Sequence, residues 1–241
     1  MDVTVETIMG FRALDILSKV GVFGYAILLI LLIFSVIAWG VIFHKFRVLR
    51  GIRRESEKFL ELYHENSDLG EVYAASVAFR IAPVVRVFKA GYLDLQRIRK
   101  DIISIKADRK GNMELVFSGW VEDFTSVLQE TLVRETMLLE QFLIFLAIAS
   151  SSAPLLGLLG TVWGVMISFW SVGMQGHSSL SVIAPGISAA LVTTIGGLAT
   201  AIPSAIAYNV LVNRVKILSA EMECFASEFT SAVRKELRKT V

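Results

Sequence analysis

The chain has 241 residues, of which 54% are hydrophobic and 19% charged, and its formal net charge is only +2. With a positive mean hydropathy, this composition is typical of an integral membrane protein that also carries some soluble mass. The small net charge gives no support for nucleic-acid binding. A single cysteine, Cys224, excludes an intrachain disulfide framework and a cysteine-cluster metal site, so no metal and no cofactor are expected.

The first 43 residues predict an interfacial segment followed by a retained membrane span. Residues 1–19 carry both acidic and basic side chains and lack the basic start and apolar core of a cleavable signal peptide. The apolar run 20–43 has 24 residues, enough to cross about 30 Å of hydrocarbon. Its bulky aliphatic sequence YAILLILLIF has no small or polar stripe, which favours contact with lipid over a close helix neighbour.

Basic residues at the ends of the spans predict the topology. Five of them follow the first span within ten residues, namely Lys45, Arg47, Arg50, Arg53 and Arg54. Arg214 and Lys216 follow the last span, whereas the turn 175–181 contains neither Lys nor Arg. Because Lys and Arg accumulate on the cytoplasmic side, the N-terminus is expected in the periplasm and the C-terminus in the cytoplasm.

Between the first two spans, residues 44–140 have mixed charges and predict a cytoplasmic helical domain. Helices are expected at 46–66, 69–81, 83–99 and 114–140, with the polar run 104–112 as a loop. No proline interrupts the last of these helices, so it is predicted to continue unbroken into the second span.

The stretch from Gln141 to Asn213 contains no Asp, Glu, Lys or Arg. It divides into a second membrane helix at 141–174, a periplasmic turn at 175–181 and a third membrane helix at 182–213. Residues 214–241 then predict an amphipathic cytoplasmic helix, whose apolar face carries Leu218, Met222, Phe225, Phe229 and Val233. The fold class is therefore an all-α membrane protein with three transmembrane helices, two of them long and extending into a cytoplasmic helical domain.

Small residues recur at helical spacing in the second and third spans. The first stripe is Ser150, Pro154, Gly157, Thr161, Gly164, Ser168 and Ser171, and the second is Gly186, Ala190, Thr193, Gly197, Thr200, Ser204 and Ala207. Such stripes allow close backbone approach, as at Gly160-xxx-Gly164, or line a narrow space for another helix. The fourteen Ser and Thr residues between 150 and 204 either bond to their own helix backbone or line a path for ions or water.

The two predicted membrane helices of this stretch have no acidic or basic side chain, although a proton path through a membrane usually requires one. If the chain conducts protons, a carboxylate must come from another polypeptide. An enzyme is not expected. The glycines of 157–164 have neither dinucleotide nor P-loop spacing, and no nucleophile, base and acid can be grouped.

Two strings, SAPLLGLLGTVWGVM (152–166) and IAPGISAALVTTIGGLATAIPSAIAYN (183–209), resemble the TolQ/ExbB/MotA family of stator proteins, most closely its TolQ and ExbB members. The resemblance implies a three-span subunit of the bacterial inner membrane that assembles as a homopentamer. It also implies a TolR/ExbD-like single-span partner that supplies a membrane Asp. Driven by the proton-motive force, the complex would act on a TolA/TonB-like envelope protein.

The resemblance assigns the two family hydroxyls to Thr161 and Thr194, while the small-residue stripe favours Thr193 and Thr200, so all four are candidates for the proton path. The candidate framework positions are Pro154, Gly157, Gly160, Gly164, Pro185, Gly186, Gly197 and Pro203. The family string PGIAEAL carries a Glu where this chain has Ala189, so the role of that Glu does not transfer.

The sequence thus predicts the ring-forming subunit of a proton-driven stator. The alternatives are a non-conducting membrane scaffold and a MotA-like motility stator. H⁺ is preferred over Na⁺ because the motifs are nearest to those of TolQ and ExbB.

Overall fold

The computed structural model describes residues 21–66, 68–108, 113–175 and 180–240, and within them it contains α-helices and no strand. The helices are α1 (Gly21–Glu65), α2 (Leu69–Ala75), α3 (Pro83–Asp108), α4 (Met113–Glu140), α5 (Leu143–Gln175) and α6 (Leu180–Thr240), with a 3₁₀ turn at Ser76–Ala78. The predicted all-α class is confirmed. The predicted N-terminal segment 1–19 and most of the predicted turn 175–181 lie outside the described residues.

Two helices are longer than the sequence predicted. Helix α1 continues through the predicted boundary at 43–46, and α6 continues without a break through the boundary at 213–214. Neither boundary contains a proline or glycine, and an apolar segment followed by a charged one changes the surroundings of a helix without ending it. Helix α3 likewise extends to Asp108, so the first part of the predicted loop 104–112 is helical.

The predicted unbroken helix from 114 into the second span is wrong. Helix α4 ends at Glu140, a turn follows at Gln141 and Phe142, and α5 begins at Leu143. Phe142 has a φ of 69°, a left-handed conformation that cannot continue a right-handed helix. The backbone N–H of Gln141 still donates to the carbonyl of Met137 at 3.1 Å.

A buried lysine stabilises the end of α4. The Nζ of Lys45, a side chain only 5% exposed, donates a 2.9 Å hydrogen bond to the carbonyl oxygen of Leu139. A cation is favourable at a helix C-terminus, where the last carbonyls have no partner within the helix. Burial nevertheless lowers the pKa of Lys45 from its usual value.

The chain forms two units, whose boundaries fall within α1, between α4 and α5, and within α6. The first unit contains the chain up to His44 together with Phe142–Val210. In this part of the chain, α1, α5 and α6 are each long and apolar enough to cross a membrane. The predicted number of spans is therefore confirmed for the described residues.

Helix α1 packs through one face and exposes the others. Ile27, Leu31 and Ala38 are at most 3% exposed, whereas Leu32, Val36 and Phe43 are at least 60% exposed. The expectation that the first span offers nothing to a close neighbour is thus wrong for one face. Its large exposed aliphatic faces have the character of a lipid-facing surface.

The second unit, Lys45–Gln141 with Leu211–Val241, has an aromatic core. Phe59, Phe88 and Phe229 are completely buried, and their ring contacts extend to Tyr63 and Phe225 at centroid distances of 5.0–6.4 Å. All five apolar residues predicted on the face of the C-terminal segment are buried. That amphipathic prediction is confirmed, because the spacing of the apolar residues indicates which face of the helix packs against the core.

One carboxylate in this unit is buried without full compensation. The Asp94 side chain is 8% exposed, its Oδ1 lies 3.6 Å from Arg97, and its Oδ2 has no hydrogen-bond partner among the described residues. Burial raises the pKa of Asp94, Arg97 opposes that shift, and the charges of Asp123 and Asp101 add to it. Ionisation of Asp94 is therefore less favourable in the folded protein than in the unfolded chain.

Replacing Asp94 with Asn is expected to stabilise the protein at neutral pH by about 1 kcal/mol, because the burial of a poorly compensated charge is removed. A carboxyl whose pKa is raised on folding imposes its cost above the folded pKa and loses it as the pH falls below the unfolded value. The gain should therefore shrink as the pH falls towards 4. Thermal unfolding in detergent between pH 7 and pH 4 measures this, with the exposed substitution Glu122→Gln as the control. An equal, pH-independent shift in both variants would contradict the explanation.

Candidate functional site

The small residues of α5 and α6 pack against one another. A Cβ added at Gly197 would lie 2.5 Å from the carbonyl oxygen of Ala153 and 3.2 Å from the Cα of Gly157. A Cβ added at Gly157 would lie 2.8 Å from the Thr193 carbonyl oxygen. Real Cβ contacts are never this short against backbone atoms, so only glycine permits this separation of the two helices.

The other framework glycines extend this seam along both helices. The position of a Cβ at Gly160 is occupied by the Thr193 side chain, and that at Gly186 by the Ser168 hydroxyl. At Gly164 the neighbour is the Ala190 Cβ, 2.6 Å away. The three prolines predicted as framework, Pro154 in α5 and Pro185 and Pro203 in α6, all lie inside their helices.

Within this seam the hydroxyls of Thr161 and Thr194 are in direct hydrogen-bond contact. Thr161 Oγ1 also lies 3.1 Å from the Gly157 carbonyl oxygen and 3.4 Å from that of Ala190. Thr194 Oγ1 lies 3.1 Å from the same Gly157 oxygen. Because Gly157 brings the helices so close, one carbonyl serves hydroxyls from both of them.

This threonine pair lies on the side of α5 and α6 that faces away from α1. The ring of Trp163 packs at a tilt against Phe23 of α1, with centroids 4.3 Å apart, and Gly196 approaches Leu28 of α1. Trp163 follows Thr161 by two residues, and Gly196 follows Thr194 by two residues. In an α-helix two residues correspond to a rotation of about 200°, so each threonine points to nearly the opposite side of its helix. Thr161 and Thr194 are therefore directed away from the first span, and both side chains are half-buried.

The competing threonines have a different environment. Thr193 is completely buried, and its hydroxyl donates to the Ala190 carbonyl at 2.6 Å and the Gly157 carbonyl at 3.1 Å. Thr200 is 5% exposed and bonds to the Gly196 carbonyl at 3.0 Å, with the Leu31 carbonyl of α1 at 3.5 Å. The structure thus brings three of the four predicted threonines together around Gly157 and places Thr200 against the first span.

Other hydroxyls of the stripes bond within their own helix. Ser168 donates to the Gly164 carbonyl at 2.8 Å, and Ser204 to the Thr200 carbonyl at 2.7 Å. Ser150 donates to the Ala147 carbonyl at 2.8 Å. For these residues the backbone-bonded alternative is the one observed. Among the described residues, Thr161 and Thr194 form the hydrogen bond between α5 and α6 that joins one hydroxyl to another.

The spans contain little else that could bind or titrate. Ala189, where the resemblance expected a Glu, is 1% exposed within the protein. The described residues contain no group of three or more His, Cys, Asp or Glu side chains able to hold a metal ion. The sequence did not indicate that α1 would contact Gly196 and Thr200, because its own residues show no small or polar stripe.

Large apolar side chains surround the threonine pair on its open side. Leu158 and Val162 of α5 are 55% and 59% exposed, and Leu191 of α6 is 51% exposed. These flank a narrow polar spot in an otherwise aliphatic surface. Such a surface requires lipid or other protein helices as cover.

These observations define a class of membrane protein with closely packed, glycine-lined helices and a threonine pair, but with no Asp, Glu, Lys or Arg in the spans. Residues 102–224 match the MotA/TolQ/ExbB proton channel family. The chain is 31% identical over 225 residues to the Tol-Pal system protein TolQ of Pseudomonas aeruginosa, covering 92% of this chain and 93% of that protein. It is 29% identical over 225 residues to TolQ of Haemophilus influenzae, covering 92% and 94%.

A shorter similarity extends to the biopolymer transport protein ExbB of Neisseria gonorrhoeae, 40% identical over 83 residues, or 34% of this chain and 38% of that protein. The chain belongs to the MotA/TolQ/ExbB proton channel family, as its sequence motifs predicted.

Proposed function

We propose that this protein is the ring-forming subunit of a stator complex in the bacterial inner membrane. In this proposal it assembles as a homopentamer and surrounds the single-span helices of a TolR/ExbD-like partner. Proton flow through the complex performs mechanical work on a TolA/TonB-like envelope protein. The family membership supports the class of activity, and the full-length similarity to TolQ proteins favours this assembly over a MotA-like motility stator.

The observation that carries the proposal is the position of the Thr161–Thr194 pair. Its two hydroxyls meet on the open side of α5 and α6, away from α1, in a pair of spans without any Asp, Glu, Lys or Arg. A partner helix lying along this side would meet one polar spot in an aliphatic surface. A buried polar group in a membrane needs a hydrogen-bonding partner, so this spot is suited to a single carboxylic acid.

The hydroxyls would act by hydrogen bonding and not by titration. A threonine hydroxyl has one donor and two acceptor positions, so it can accept from a protonated carboxyl and donate to a carboxylate or a water molecule. With the Gly157 carbonyl as an additional acceptor, the pair can exchange partners as the acid changes its charge. The partner's Asp would carry the proton, and the threonines would lower the cost of its charged state.

The driving force sets a condition on the mechanism. One proton crossing about 100 mV releases about 2.3 kcal/mol. This is comparable to a single charge-assisted hydrogen bond, which contributes about 1.5–3 kcal/mol. One proton can therefore break and remake one such contact, which suits a stepwise movement of the partner helix past successive threonine pairs.

The length and surface of the helices support an oligomer. Helix α5 has 33 residues and would be about 50 Å long, more than a hydrocarbon core of about 30 Å requires. Its exposed aliphatic residues, with those of α6, offer cover for neighbouring copies. The distribution of Lys and Arg supports a periplasmic N-terminus and a cytoplasmic position for the charged second unit.

Proton flux in reconstituted vesicles tests the proposal. Proteoliposomes that contain this chain together with a TolR/ExbD-like partner should acidify when a membrane potential, positive outside, is imposed. The chain alone, or the chain with a partner whose membrane Asp is changed to Asn, should conduct at least about tenfold less, because no carboxylate then remains in the spans.

A non-conducting scaffold is the second candidate, favoured by the many hydroxyls that bond only to their own helix. It predicts no potential-driven flux in any combination and full function after the proton gradient is dissipated. Flux that is independent of the partner's Asp would contradict both the stator proposal and the scaffold.

A further inference from the structure

A cavity of about 270 Å³ lies in the second unit, where the apolar segments of α1 and α6 end. It is lined by three arginines, Arg50, Arg53 and Arg214, and by the aliphatic residues Leu49, Ile217 and Leu218. This volume is near the lower limit for small-ligand pockets, which is about 300 Å³. The lining combines positive charge with an apolar wall, which is unusual for a purely solvated surface.

Two of the three arginines have no ion-pair partner among the residues that the structure describes. Arg53 pairs with Glu57 at 2.9 Å. In the part of the chain that the structure describes, no ion pair joins a carboxylate to Arg50 or Arg214. Arg214 instead lies over the ring of Phe46, with its Cζ 4.8 Å from the centroid. That contact fixes the direction of the guanidinium while leaving its N–H donors available.

The sequence positions of these residues put the cavity at the edge of a membrane. Arg214 is the first charged residue after the charge-free block, and Arg50 lies seven residues, or about 10 Å, beyond the apolar run of the first span. Trp39 and Phe43 precede it on the same helix, stacked at 5.4 Å and exposed. Exposed aromatic residues at the end of a span mark the headgroup level of a bilayer.

We infer that this cavity binds the phosphate headgroup of an anionic phospholipid of the cytoplasmic leaflet. Arg50 and Arg214 hold the phosphate through charge-assisted hydrogen bonds, for which the planar guanidinium is well shaped. Leu49, Ile217 and Leu218 pack against the glycerol and the first methylene groups. Free phosphate has the same charge chemistry but has no apolar group to pack against Leu49, Ile217 and Leu218. The apolar wall therefore favours the lipid.

Native mass spectrometry of the purified protein in detergent tests the inference, with phosphatidylglycerol as the probe and phosphatidylcholine as the neutral-headgroup comparison. The double substitution R50Q/R214Q should weaken phosphatidylglycerol binding at least about tenfold, since two charge-assisted contacts are lost. The matched double substitution R47Q/R54Q removes the same charge from exposed arginines of α1 outside the cavity and should leave binding within about twofold. Phosphatidylcholine should bind the unmodified protein at least about tenfold more weakly.

Equal weakening by the two double substitutions would overturn the site and indicate general attraction to a basic surface. Displacement of phosphatidylglycerol by an excess of inorganic phosphate would overturn the lipid assignment in favour of free phosphate. If R50Q/R214Q fails to fold, the exposed single substitution R50Q replaces it and is compared with R54Q. Indistinguishable binding by these two single variants would likewise reject the site.

Discussion

Replacing Thr161 or Thr194 with Val is expected to reduce partner-dependent proton flux by at least about tenfold, equivalent to about 1.4 kcal/mol in the barrier. Val keeps the branched shape of Thr and removes the hydroxyl. At position 161 the substitution leaves Thr194 with its 3.1 Å contact to the Gly157 carbonyl. The fold should therefore lose about 1 kcal/mol while the polar spot loses half of its hydrogen-bonding capacity.

Matched controls are available in the same seam. Thr193→Val and Thr200→Val remove hydroxyls that lie in the packed interior, so their flux should remain within about threefold of the unmodified protein. Thr161→Ser and Thr194→Ser keep the hydroxyl and should restore most of the flux. Because the two hydroxyls contact each other, the double Val variant should lose less than the sum of the single losses.

Vesicle flux with the partner present measures all of these variants, and circular dichroism checks that the helices are retained. Undiminished flux in both Thr161→Val and Thr194→Val would remove the hydroxyls from the mechanism. If Thr193→Val lost as much flux as Thr194→Val, the functional hydroxyls would have to include the buried centre of the contact between α5 and α6.

The second large effect is expected at Gly197. Substitution with Ala would put a Cβ 2.5 Å from the Ala153 carbonyl oxygen and 3.2 Å from the Gly157 Cα. Backbone atoms cannot move aside as a flexible side chain can, so α5 and α6 must separate. Overpacking of this kind costs about 1–3 kcal/mol, and the separation should also break the Thr161–Thr194 contact.

The adjacent Gly196 provides the control. A Cβ there would meet only side-chain methyl groups, Leu28 Cδ2 at 3.4 Å and Leu31 Cδ1 at 3.7 Å, which are ordinary van der Waals contacts. Gly196→Ala should therefore be neutral or stabilising by up to about 1 kcal/mol, because Ala is the better helix former. Thermal unfolding in detergent and vesicle flux compare the two variants. Identical unfolding temperatures for Gly197→Ala and Gly196→Ala would show that the close approach of the helices is not required.

The periodicity of the sequence predicted helix contacts correctly where the residues on one side of a helix are all small or all apolar. The stripes of small residues correctly indicated a close helix contact, and the apolar face from Leu218 to Val233 correctly indicated burial. It was a poor guide to helix ends. Phe142 adopts a left-handed conformation without being Gly or Asn, so no residue type announced the break between α4 and α5.

The choice among the threonines shows the same limit. Spacing alone put Thr193 and Thr200 on the stripe and left Thr194 at its edge. A stripe marks the centre of a helix contact, whereas a residue that can meet a third helix must lie at the margin of that contact. The fully buried Thr193 and the half-buried Thr194 differ in this respect, because Thr193 lies at the centre of the contact between α5 and α6 and Thr194 at its margin.

By itself, the sequence determined the all-α class, the three apolar helices, the family and the absence of any Asp, Glu, Lys or Arg from Gln141 to Asn213. These follow from composition and short-range spacing, which each segment carries alone. Only the tertiary structure decided that Thr161 meets Thr194 around the Gly157 carbonyl, and that Arg50 and Arg214 line one cavity. Both depend on which faces of distant helices meet, and that is set by packing between segments far apart in the chain.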